Sequence, residues 1–119
     1  LLTPFGLRTL APDEPGYRGQ YTGDQWSRDS AYHNGTVWPW LLGPYCKVYL
    51  RVEGVTADSR RQVRAFLQPL VDYLLDGGVG TLPEIFDGDP PHAPRGSFAQ
   101  AWSVAEVLRL WLQYRLDEA

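Results

Sequence analysis

Methionine is absent from the 119 residues, and the chain opens on Leu1-Leu2-Thr3-Pro4-Phe5-Gly6-Leu7, which reads as the interior of a longer protein. A piece of a longer polypeptide is the expectation, with residues 1–119 forming a single partial domain. Cysteine is nearly absent. Cys46 stands alone, so no internal disulfide can form, and its place in an apolar helical run marks it as a small buried hydrophobe. Basic blocks are missing too. Eleven Lys and Arg against fourteen Asp and Glu give a net charge of −3, which argues against a nucleic-acid surface. No apolar run approaches the roughly 20 residues that cross a bilayer, and no signal-peptide pattern is visible. No membrane partner is therefore expected, and a cytoplasmic location is the default. Only two histidines occur, His33 and His92, far apart and without a thiolate pair or a two-His helix motif. They make no metal site. No Ser sits in a Gly-x-Ser-x-Gly elbow. Gly77-Gly78-Val79-Gly80 lacks the Lys-Ser/Thr that completes a phosphate loop. Neither metal nor cofactor is expected.

What is present is apolar and aromatic. Hydrophobic residues make up 44%, enough for a core and too many for a disordered chain. Trp26, Tyr32, Trp38 and Trp40 crowd into fifteen positions. Such density serves either a packed core or a sugar platform, since aromatic faces cover pyranose rings while polar neighbours bind hydroxyls.

Residues 1 to about 31, rich in Pro, Gly, Asp and Thr, show no lasting periodicity and read as a long ordered loop. A first helix is expected from Thr36 as N-cap to Gly54, with a kink or restart at Pro44. A second is capped by Thr56 or Asp58, carries the stripe Val63, Phe66, Leu67, Leu70, Val71 and Leu74, and stops at Gly77-Gly78. Arg60, Arg61 and Arg64 read as its solvated face. Residues 79–92 read as loop, with an extended piece near Leu82–Phe86. A third helix is expected from Ser97, where Ser97 and Gln100 fit a capping box, with Phe98, Ala101, Trp102, Ala105, Leu108 and Leu112 as its buried face. The fold class so read is all-α.

Between the second and third helices, Glu84, Asp87 and Asp89 place three carboxylates within six positions. Crowded acids repel, and a loop that concentrates them is a candidate acid/base site. Glu84 follows Pro83, which stiffens the backbone. From the residues alone it is either a general base or a carboxylate that braces the loop. Asp87-Gly88 is also a plain turn signature. His33 and Asn34 add donors and acceptors beside flat aromatic faces, as binding a neutral polyol requires.

Three segments together are more specific. They are Leu2 to Leu10 (Leu-Thr-Pro-Phe-Gly-Leu-Arg-Thr-Leu), Tyr32 to Trp40 (Tyr-His-Asn-Gly-Thr-Val-Trp-Pro-Trp), and Leu82 to Asp89 running on into Gly96–Glu106. In order and spacing they resemble the C-terminal part of the bacterial and archaeal-type glycogen debranching enzymes, the amylo-α-1,6-glucosidase family. The resemblance implies the terminal helical hairpins of an α/α toroid with long ordered loops. It also implies an inverting glycoside hydrolase, with Glu84 as the general base that activates water against an α-1,6-glucosidic branch point. Tyr32, His33, Gly35, Trp38, Gln100 and Trp102 become the expected pocket wall, although Trp102 also lies on the apolar stripe of the third helix. No segment here matches the family's general acid, which is expected upstream of Leu1. The implied partners are a glycogen-type α-glucan and the remainder of the parent toroid, and the chain alone would be inactive and prone to self-association. The alternative is a catalytically inactive α-glucan-binding or helical interaction module.

Overall fold

A computed structural model describes residues Leu1–Ala119. In chain order the elements are β1 (Leu2–Thr3), β2 (Gly6–Arg8), α1 (Gln25–Tyr32), β3 (Val37–Trp38), a 3₁₀ turn at Pro39–Leu41, α2 (Leu42–Glu53), α3 (Ala57–Asp76), β4 (Ile85–Phe86), β5 (Pro94–Arg95), α4 (Ala101–Gln113) and a closing 3₁₀ turn at Leu116–Glu118. About half of the residues are helical, and the five strands form one antiparallel sheet in sequence order. The all-α, toroid-hairpin expectation is therefore wrong: the chain is a mixed α/β fold. The register pairs Leu2 with Leu7, Leu7 with Trp38, Val37 with Phe86, and Ile85 with Arg95. Strands of two or three residues are too short to show the period-2 alternation by which a strand is recognised.

The sheet explains three further corrections. Residues 1–31 are not a loop throughout, for they hold β1, β2 and α1. Asp24 caps α1 by accepting from the Ser27 backbone N–H at 2.8 Å. Thr36 caps no helix. Its carbonyl accepts from the Thr9 backbone N–H at 3.1 Å, and Val37 and Trp38 continue as a strand. The α-helix starts instead at Leu42, so Pro44 lies in its first turn, where a missing N–H costs nothing. The helix runs on through Pro44, so the restart expected there does not occur.

The core lies between α2, α3, α4 and one face of the sheet. Leu42, Cys46 and Leu50 come from α2, Val63, Leu67 and Leu70 from α3, and Val107 and Leu110 from α4, joined by Val37, Leu82, Phe86 and Leu116. Full burial of each leucine contributes about 1.5–3 kcal/mol. α3 follows its sequence stripe: Val63, Leu67 and Leu70 are fully buried, with Phe66, Val71 and Leu74 packed beside them. Its start is a reciprocal capping box. Thr56 Oγ1 accepts from the Ser59 N–H at 3.1 Å, and Ser59 Oγ accepts from the Thr56 N–H at 2.9 Å. Arg60 and Arg64 are not merely solvated. They donate to the carbonyls of Tyr114, Leu116 and Ala119 and tie down the C-terminal turn.

α4 departs most from its expectation. It begins at Ala101, because the Ser97 N–H is taken by Glu84 and the Gln100 N–H by the Leu82 carbonyl, which holds residues 97–100 off the helix. Its buried face is Ser103, Val107 and Leu110, while Phe98, Trp102, Leu108 and Leu112 point outward. Ser103 faces inward because its Oγ–H donates to the Pro83 carbonyl at 2.8 Å. That bond ties α4 to the segment that carries Glu84.

Candidate functional site

The three clustered acids do not share one site. Asp87, 5% exposed, is enclosed. Its Oδ2 accepts from Nε and Nη2 of Arg95, both at 3.0 Å, and its Oδ1 accepts from the Tyr21 backbone N–H at 2.7 Å. Its carbonyl takes the Nδ1–H of His92 at 2.8 Å. Asp89 accepts from the Tyr17 hydroxyl at 2.9 Å. Both braces tie the loop between β4 and β5 to residues 17–21. Tyr17 is in turn raised above its ordinary ionisation range, first by burial and then by the Asp89 hydrogen bond, so it stays a donor.

Glu84 points elsewhere. Its Oε1 accepts from the Tyr32 hydroxyl, and its Oε2 accepts from the Ser97 backbone N–H at 3.0 Å. The Tyr32 ring stands edge-on to Trp38, 4.7 Å between centroids, and edge-on to His33 at 4.9 Å. His33 and Trp38 lie parallel, 4° apart, with centroids 5.7 Å apart. Trp102 stands across from Trp38 at 6.4 Å. These rings come from the end of α1, from β3 and from the first turn of α4, three elements held together by the sheet and by the Ser103–Pro83 bond.

Beside them opens a cleft of about 510 Å³, walled by Thr9, His33, Trp38, Trp40, Leu41, Trp102 and Glu106. Three of the expected pocket residues, His33, Trp38 and Trp102, line it. Glu84 is one side chain removed, behind Tyr32. Gly35 does not line the cleft. It is buried at φ +142°, and a Cβ there would sit 2.4 Å from the Arg18 carbonyl oxygen, so its lack of a side chain lets the 17–18 segment pass. Gln100 does not line it either. It is the residue before α4, and its backbone N–H donates to Leu82 at 2.8 Å. Trp102 is half exposed, so its core alternative does not apply.

Sequence reasoning passed over Thr9, Trp40, Leu41 and Glu106 as wall residues. Glu106 was within reach, since it follows Trp102 by four positions and so shares its helix face. Its carboxylate is gripped by Arg109 at 2.5 Å, which raises the Arg109 guanidinium further. It lies against α2 where Gly43 offers no side chain, for a Cβ there would fall 1.7 Å from Glu106 Oε2. The cleft is thus a mostly apolar trough of indole faces with one carboxylate and one imidazole on its rim. That combination suits a polyol with one C–H face.

A family model described as amylo-alpha-1,6-glucosidase matches residues 1–109. A glycogen debranching enzyme of Saccharomyces cerevisiae is 28% identical over 127 residues, a span that covers 91% of this chain and 8% of that enzyme. The chain thus spans less than a tenth of the length of that relative. No solved structure matches the chain. The matched residues take in the sheet, the Glu84 loop and the indole cleft, and the chain belongs to the amylo-alpha-1,6-glucosidase family.

Proposed function

We propose that this chain is the C-terminal portion of a debranching glycoside hydrolase and that it supplies the general base and part of the glucose site for cleavage of α-1,6-glucosidic branch points. In this reading Glu84 takes a proton from a water as that water attacks the anomeric carbon. The bond from that carbon to the O6 of the main chain breaks, and a general acid from outside these residues protonates the leaving oxygen. The configuration inverts and free glucose departs. Base and acid in such enzymes stand about 6.5–9.5 Å apart, which leaves room for the water.

One observation carries the reading: the Glu84 carboxylate is fixed from both oxygens, by Tyr32 and by Ser97, within one side chain of an indole-walled cleft. Each carboxylate oxygen has two lone pairs, so each can still accept from a water. Asp87 and Asp89 are engaged in bracing and are poorer candidates. The α-glucan substrate follows from the family and from the name of the yeast relative.

The test is glucose release from a branched limit dextrin by the full-length protein that carries these residues. Glu84→Gln should lower kcat by about 10²–10⁴-fold. Near wild-type turnover would remove Glu84 from the mechanism. Calorimetric binding of maltooligosaccharides without turnover by the intact protein would instead favour a glucan-binding relative that has lost catalysis.

A further inference from the structure

Tyr32 lies 52 positions from Glu84 in sequence, yet its hydroxyl donates to Glu84 Oε1. The ring is confined on three sides: Tyr21 at 5.5 Å, His33 at 4.9 Å and Trp38 at 4.7 Å between centroids. Its backbone is held as well, because the Trp38 indole N–H donates to the Tyr32 carbonyl at 3.1 Å. Tyr32 is absent from the walls of the cleft, so a sugar in that trough meets the Trp38 face and not the phenol.

We propose that Tyr32 is a positioning residue for Glu84: its O–H fixes the rotation of the carboxylate and stabilises its negative charge, which leaves one lone pair on each oxygen for the attacking water. The inference rests on Glu84 being the base and adds the means by which that base is aimed. The titratable neighbours of the pair are Tyr21 and His33 on either side of the phenol. From the sheet side Arg95 is occupied by Asp87, and on α4 Glu106 is occupied by Arg109. None of these replaces the donor that Tyr32 supplies to Oε1. Burial first, and then the bond to Glu84, raise the Tyr32 phenol well above its ordinary range, so it remains a donor throughout the working pH.

A hydrogen bond to the charged form of an acid favours that form. Losing it lets the base take up its proton at higher pH. In the full-length protein, Tyr32→Phe should move the acidic limb of the kcat/KM profile upward by about one pH unit, the size expected for one donor to a charged acceptor. The kcat at the optimum should fall about tenfold, and KM should stay within about twofold. An acidic limb that does not move would overturn the proposal, and a KM rise in its place would return Tyr32 to the sugar wall. If Tyr32→Phe does not fold, 2,3,5-trifluorotyrosine at position 32, a stronger donor of similar shape, carries the test. The limb should then move to lower pH, and an unmoved limb overturns the proposal. Glu84→Gln in parallel separates the two ideas. Wild-type turnover in that variant removes the base and its positioning together, whereas an inactive variant beside an unmoved Tyr32→Phe limb removes the positioning alone.

Discussion

Trp38 and Trp102 meet in the lining of the cleft with centroids 6.4 Å apart, yet one is 6% exposed and the other 49%. They belong to one wall and do different work. Trp38 is set in the sheet and locked by its indole N–H, so Trp38→Ala should cost about 3–5 kcal/mol. Trp102→Ala should cost less than about 1 kcal/mol, since half of its surface already meets water. In the full-length protein Trp102→Ala should nonetheless weaken maltooligosaccharide binding by about tenfold. Thermal unfolding and calorimetry check the two halves. A large stability loss at Trp102 would make it a packing residue.

Gly35 should tolerate no side chain. Its φ of +142° and the Arg18 carbonyl, 2.4 Å from where a Cβ would be, act together, and backbone cannot move aside as a flexible side chain can. Gly35→Ala should destabilise by about 2–4 kcal/mol in chemical denaturation. A neutral outcome would mean that the 17–18 segment is free to lift.

Glu84 and Asp87, on either side of β4, should separate by phenotype. Asp87→Asn breaks an enclosed pair with Arg95 and should cost about 2–3 kcal/mol of stability. Glu84→Gln keeps an acceptor at a half-buried position and should cost about 1 kcal/mol or less while turnover collapses. Denaturant midpoints set beside rates decide this. If Glu84→Gln is the less stable of the two, Glu84 braces the loop.

Cys46 has no exposed surface, and burial pushes its thiol up to about 12 from 9.0. The folded state therefore keeps its proton where the unfolded chain would lose it. The stability tied to this group is complete below pH 9 and is lost as pH rises from 9 towards 12. At pH 8 the thiol should resist iodoacetamide except through unfolding, so its alkylation, followed by mass, should track global opening. Rapid labelling of the native protein would contradict this burial.

What the sequence conveyed well was local. The α3 stripe was legible because twenty residues hold a 3.6 period with few interruptions, whereas its cap was narrowed only to Thr56 or Asp58, of which the structure takes Thr56. The sheet was not legible, since two-residue strands carry no period and their pairing partners lie tens of positions away. Val37 and Trp38 mimic helical spacing with Leu41 and Leu42, and only the ladder to Leu7 and Phe86 decides otherwise. α4 misled for another reason. Both of its faces are apolar, and the inward one is marked by a serine whose hydrogen bond cannot be foreseen. Of the site, the residue types near Glu84 and the aromatic density were visible. The bond from Tyr32 to Glu84 and the entry of Glu106 into the cleft depend on tertiary placement.

The strand ladder has one more implication. β2 sits between β1 and β3, and the Arg8 Nε–H donates to the Gly88 carbonyl 80 positions onward, at 2.9 Å. Rungs this short have no strength of their own and persist only while their neighbours do. Shaving off the first eight residues would leave Val37 and Trp38 on a raw edge and cut the tie from Arg8 to the loop after β4. The front of this chain is a keystone for a loop laid down far behind it.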